Sequence, residues 1–270
     1  MSAEWDTRPG FRLLDALLDA EIARLRTLAG AHPSHRLAVE AGLAAARHGA
    51  DRSVLFGRGG AGAALGIGFD KHAVRIVIGT LAEDELLAVA DTVRAAELHL
   101  DDRQAEDLVP MLGRRLLARR ERRSYRLDAL PPAPPDPRCR RLGPDDWMLV
   151  DGFFRAHCRA ATVSRGLLEL PFLGLLEADD LIACGGTVAR AVGLAEIGNF
   201  VTRPDRRGEG LAQAVAASLA AFLIADGVDT VTLGTCGDNP AACCACEAVG
   251  FACFETRAQL DLGAAAGGVG

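Results

Sequence analysis

The sequence predicts an α/β protein on a mixed sheet, an α+β arrangement split into two domains of similar size. Three features point to this. Residues 130–137 are rich in proline, which continues neither a helix nor a central strand. On both sides of that break, short strand-like apolar runs are interspersed with helical periodicity. A loop rich in arginine and glycine, around residues 206–210, separates a strand pattern from a helix pattern. The 270 residues suffice for two hydrophobic cores. The expected organisation is an N-terminal domain at 1–129, a linker at 130–137, a second domain at 138–262 and a disordered tail at 263–270.

In the first domain, helical patterns cover about 11–29 and 36–48. Runs at 53–56 and 63–69 flank a glycine-rich stretch, and Val74, Ile76 and Ile78 alternate as a strand would. A helix at about 83–96, a short strand at 97–100 and a helix at about 103–120 follow, and residues 125–127 close the domain. Residues 57–62 fit the G-x-G-x-x-G pattern of dinucleotide sites. The next seven residues carry two further glycines and read as a returning strand where that motif needs a helix, so a hairpin loop is expected.

The second domain opens with a strand at 140–142 and a helix from Pro144 to about Arg159. Strands at 172–176 and 181–189 pair around the turn 177–180, and 195–202 forms another. Leu211, Val215, Leu219, Phe222 and Leu223 then share a helix face that stops at Gly227. A strand at 230–235, a helix opened by Asn239 and Pro240, and a last strand from Gly250 and Phe251 to about 262 complete the order.

Composition narrows the function classes. A net charge of −6 argues against a broad grip on nucleic-acid phosphates. No apolar run reaches the ~18 residues of a membrane span, and the first residues lack a secretory pattern. A soluble, cytoplasmic protein with no membrane or nucleic-acid partner is expected. The eight cysteines are not read as a disulfide framework; Cys236, Cys243, Cys244 and Cys246 are read as small buried residues, and no metal is expected, because adjacent Cys243 and Cys244 diverge on a helix. The arginines at 114–115 and 119–126 are read as a solvated face.

The loop after strand 195–202 carries the chemistry. Gly208 and Gly210 let the backbone approach a ligand, and the first amides of the next helix, with its dipole, favour an anion. Arg206 and Arg207 add positive charge. This order, with Arg207, Gly210 and Ala212 fitting Q/R-x-x-G-x-G/A, Asn239 and Ala242 fitting N-x-x-A, and Gly250-Phe251 closing, resembles the GNAT superfamily of N-acetyltransferases over about 125 residues. The resemblance implies the GNAT acyl-CoA N-acyltransferase fold, with a sheet that splays near a bulge in strand 195–202. It implies acetyl-CoA as cosubstrate, held by Phe200, Val201, Thr202, Arg206, Arg207, Gly208, Glu209, Gly210, Leu211, Ala212 and Asn239, with an amide near Phe200 facing the thioester oxygen.

Two residues are expected at the reacting end. Glu196 lies at the offset where some members carry a base, and burial would raise its pKa. Cys246 stands where the family pattern has a tyrosine that protonates the leaving thiolate, a departure that leaves Cys246 or water for the task. His157, Arg159, Ser164 and Arg165 are polar residues near the expected acceptor site. The N-terminal domain resembles the degenerate half of tandem GNAT and glycine-N-acyltransferase-like proteins, lacks the diphosphate loop and is expected not to bind CoA. The expected activity is acetyl transfer to a primary amine of a small-molecule or amino-acid-like acceptor. The alternative is a non-catalytic acyl-CoA-binding regulatory protein. The oligomeric state is open.

Overall fold

In the computed structural model the described residues are 11–47, 52–58, 60–69, 72–91, 96–131, 134–158 and 163–263. In chain order the elements are β1 (Phe11–Leu13), α1 (Asp19–Ala29), α2 (Pro33–Arg47), β2 (Arg52–Phe56), β3 (Gly62–Phe69), β4 (His72–Gly79), α3 (Glu83–Asp91), β5 (Ala96–Leu100), α4 (Asp102–Leu112) and β6 (Leu116–Leu127). There follow β7 (Cys139–Leu142), α5 (Trp147–His157), β8 (Phe172–Glu177), β9 (Asp180–Ala191), β10 (Leu194–Thr202), α6 (Leu211–Ala225), β11 (Thr230–Cys236), α7 (Pro240–Val249) and β12 (Ala252–Leu262).

The chain forms two compact units that interleave in sequence. One comprises Met1–Arg123, Cys236–Asp238 and Thr256–Gly270; the other comprises Ser124–Thr235 and Asn239–Glu255. In the first unit, β1 to β4 pair antiparallel in sequence order and β4 pairs parallel with β5, the connection running through α3. Ala258–Leu262 of β12 then pair antiparallel with β5. Alternation along β4 feeds two cores: Ile78 packs with Leu25, Val39 and Leu43 of α1 and α2, and Val77 packs with Leu86, Val89 and Leu108 of α3 and α4.

The second unit repeats this plan. β7 to β10 pair antiparallel in sequence order, α6 crosses over, and β11 returns parallel to β10. Val215, Leu219 and Leu223 of α6 and Cys243 and Val249 of α7 form one core with Ala195, Ile197 and Val231 of the sheet. On the opposite face, Val150, Phe153 and Phe154 of α5 pack against Leu142, Phe172 and Val201. Each unit therefore has helices on both faces of a mixed sheet, and the order of strand, helical segment, three antiparallel strands, helix, parallel strand and helix occurs twice. The predicted α/β mixed-sheet class is present, and the first unit repeats the element order of the second.

Several local expectations are corrected. The helix expected at 103–120 ends at Leu112: Pro110 removes a backbone donor, Gly113 has φ +52°, and 116–127 is the strand β6. The arginine-rich run is thus extended, and much of its charge is paired: Arg115 with Asp91, Arg119 with Asp102, Arg120 with Asp261 at 3.1 Å, and Arg126 with Asp128. Tyr125, assigned from sequence to the N-terminal domain, is fully buried in the core of the second unit. The helix expected from residue 11 starts at Asp19, after β1 and one 3-10 turn. Within the proline-rich stretch, the Asp136 amide donates to Ser218 Oγ at 2.9 Å. The tail beyond Gly263 lies outside the described residues.

Candidate active site

The site grows from a defect in the sheet of the second unit. β10 and β11 pair only over Leu194–Glu196 and Thr230–Thr232. Along its other edge, β10 shifts register against β9 between Glu196 and Ile197 and again between Gly198 and Val201, so Asn199 and Phe200 have no register partner on β9. Asn199 sits at φ +55°, a conformation Asn tolerates better than bulkier residues. Beyond Glu196 the two parallel strands part, and Phe200, Val201 and Thr202 of β10 and Leu233 of β11 face a cleft of about 540 Å³. That volume lies within the range of small-molecule sites. Gly185 on β9 keeps the Phe200 ring in place, since a Cβ there would collide with the ring.

The cleft continues over the turn into α6. Gly208 (φ +83°) and Gly210 (φ +74°) take left-handed backbone conformations that a Cβ would strain. No side chain caps α6, so its first amides are left for an acceptor from outside the helix. The two arginines differ. Arg206 Nη1 pairs with Glu177 Oε2 at 2.7 Å and its Nε with Glu209 Oε1 at 2.7 Å. Hydrogen bonds that it donates to Glu209 and Glu177 hold its guanidinium even more firmly protonated than usual. Arg207 is exposed; its Nε donates to the Thr202 carbonyl at 3.4 Å, and no described carboxylate pairs with it. Positive charge for an incoming anion therefore rests mainly on Arg207 and the helix amides, while Arg206 is tied into the scaffold.

The cleft brings together Phe200, Val201, Thr202, Arg206, Arg207, Gly208, Gly210, Leu211, Ala212, Asn239 and Cys246. Of the loop residues expected from sequence, Glu209 is missing from this wall; its carboxylate binds Arg206. Glu196 is also missing. Its neighbours Ala195 and Ile197 point into the core under α6, so by strand alternation its side chain faces the other way, and it lies before the strands part. Among the expected acceptor-side residues, His157 lines the cleft, its ring edge-on to Phe153 at 4.8 Å. Ser164 and Arg165 are exposed and lie outside the wall, and Arg159 lies outside the described residues. Cys158 and Gln213 line the cleft too, although nothing in their sequence context marked them.

On α7, Asn239 accepts from the Ala242 amide at 3.1 Å, which makes it the N-cap of the helix as well as part of the wall. Cys246 projects from the same helix. Burial, with the nearby Cys243 thiol adding to it, pushes the Cys246 pKa up to about 12. This thiol is therefore neutral near pH 7, a weak donor rather than a thiolate. Tyr125, the only tyrosine, is outside the wall and donates to Glu247 Oε1 at 3.3 Å.

Comparison with known proteins agrees with this geometry. Residues 172–259 match the family model described as FR47-like protein. No curated protein matches the chain. Among solved structures, the chain is similar to a GCN5-related N-acetyltransferase from Sphaerobacter thermophilus (17% identity, 93% of this chain and 94% of that one, TM-score 0.60). It is similar to a GCN5-related N-acetyltransferase-like protein from Streptococcus suis (14% identity, 90% and 98%, TM-score 0.64). A Drosophila protein is also similar (16% identity, 94% and 98%, TM-score 0.68). The architecture is thus the GNAT N-acetyltransferase fold. The segment that matches the FR47-like model contains β10, β11, α6, α7 and the loop of the cleft wall, while His157 and Cys158 lie before it.

Proposed function

We propose that this chain transfers an acetyl group from acetyl-CoA to a primary amine of a small-molecule or amino-acid-like acceptor, by direct attack of the amine on the thioester. The observation that carries this reading is the uncapped N-terminus of α6, opening into the cleft where β10 leaves β11. Residues 208–212 supply main-chain amides and Arg207 a guanidinium with no described carboxylate partner, a set suited to a diphosphate. Asn199 and Phe200 have no register partner on β9. The Phe200 amide can donate to the oxygen of a thioester laid along β10 and stabilise the charge that develops there. The acyl thioester itself supplies the activated carbonyl.

The attacking amine must lose its proton. Glu196 is retained as one base, acting through water because it stands outside the cleft wall; His157, in the wall, is the alternative. Cys246, protonated at neutral pH, offers its S–H to the departing sulfur. A thiol-release assay on an amine panel with Glu196→Gln, His157→Asn and Cys246→Ala tests these roles. Turnover on some amine, lowered by removing either base, supports the reading; tight CoA binding without turnover on any amine contradicts it.

The second reading, a non-catalytic acyl-CoA-binding regulatory protein, is favoured by the Cys246 substitution, because a thiol at pKa about 12 is a poorer proton donor than the usual phenol. Cys246→Tyr separates the two: a rise in rate marks an enzyme working without its usual acid. Cytoplasmic location is proposed on composition; no described helix is long and apolar enough to cross a membrane.

A further inference from the structure

We infer that Glu177, the last residue of β8, is a positioning residue for the diphosphate loop, acting through Arg206 without touching the ligand. This rests on the donor reading above. Backbone bonds hold the 3-10 turn Pro204–Arg206, where the Arg206 amide donates to the Arg203 carbonyl at 3.0 Å, but the residues that follow are less restrained. Two of these are glycines at positive φ, whose ordering is entropically costly, and no heavy atom lies within 4 Å of where a Gly208 Cβ would stand. What ties the turn to β8 is a line of alternating charges. Asp136 pairs with Arg138 at 2.8 Å and Arg138 with Glu177 at 2.8 Å. Glu177 pairs with Arg206, and Arg206 with Glu209, each at 2.7 Å. Arg206 binds Glu177 through both terminal nitrogens, at 2.7 and 3.2 Å, and Glu209 through Nε and Nη2, at 2.7 and 2.8 Å. A guanidinium forked on both sides fixes the turn before Gly208 to the end of a central antiparallel strand.

This arrangement works against simple electrostatics. Two carboxylates beside an anion site repel the ligand, so charge alone predicts that removing Glu177 tightens CoA binding. If Glu177 positions the loop, its removal weakens binding. The sign of the effect therefore discriminates between the two accounts.

The full chain is titrated with CoA at low and high salt, for the native protein, Glu177→Gln and Glu177→Asp. The expected result is a roughly three- to ten-fold weaker CoA affinity in Glu177→Gln at low salt, partly restored in Glu177→Asp. The gap should narrow in about 0.5 M salt, where screening already loosens the native brace. Equal or tighter binding in Glu177→Gln overturns the inference. Amide exchange across 207–211 without ligand gives a second readout: faster exchange in Glu177→Gln supports the brace and unchanged exchange refutes it. If the native chain binds no CoA while that exchange still quickens, the donor reading falls and the brace stands.

Discussion

The chain contains the same strand-to-helix crossover twice, and the two copies treat their helix N-termini in opposite ways. In the first unit β4 runs into α3 through residues 80–82; in the second β10 runs into α6 through residues 203–210. At α3 the chain places its own acceptors beside the amides that lead into the helix. Glu85 accepts from the amides of Ala82 at 3.0 Å and Arg58 at 2.7 Å, and Gln104 accepts from the Leu81 amide at 2.9 Å. Burial opposes ionisation of Glu85, yet these amides and the Arg58 guanidinium hold its pKa below the usual range. At α6 no side chain performs this task. One fold thus yields one junction where the chain supplies its own anion and another that it leaves open.

The largest expected effect comes from closing the open junction. Gly210→Val places a β-branched residue at φ +74° in the middle of the amide cradle. It should weaken CoA binding by at least about 30-fold, from a strain of ~2 kcal/mol. Titration calorimetry reads this directly, and unchanged affinity would mean that the ligand does not meet this turn. Next, Gly185→Ala should push the Phe200 ring into the cleft and weaken CoA binding about ten-fold, with the ring shift visible in a crystal structure.

Removing the internal anion sharpens the comparison from the other side. Glu85→Gln should cost ~1 kcal/mol of stability at pH 7, in the range of a lost helix cap. Since the folded pKa of Glu85 is depressed, this contribution is complete above the unfolded carboxylate pKa and is lost as pH falls through the folded value. Urea unfolding at pH 7 and near pH 3 checks both ends, and an equal gap at the two pH values would contradict the assignment.

The smallest effect concerns Cys246. With its pKa near 12, Cys246 should add no inflection to the rate profile between pH 6 and 9, and Cys246→Ala should leave the shape of that profile unchanged. An inflection lost in Cys246→Ala would show an ionising thiol.

Much of this was legible in the sequence because it is local. The glycines at 208 and 210, the N-cap Asn239 and the apolar face of α6 each state their structure within a few residues. The element order of the second unit follows from the same signals. What failed to show depended on partners far along the chain. The run 103–120 has helical composition, yet β6 begins at Leu116, and its Tyr125 contacts Glu247, 122 residues away. Arg206 lines the cleft as expected, while its pairing with Glu177, 29 residues away, is not legible locally. Glu196 was placed by an offset along the strand, and an offset does not say which face of the sheet a side chain takes; Ala195 and Ile197, which share the α6 core, set that face.

Amide hydrogen exchange on the full chain, with and without CoA, tests the central claim most directly. The account predicts protection across 208–213 and along 199–202, with residues 80–82, which lead into α3, unchanged because their amides are already bonded. Protection at 80–82, or saturating CoA that leaves 208–213 unaltered, would contradict it.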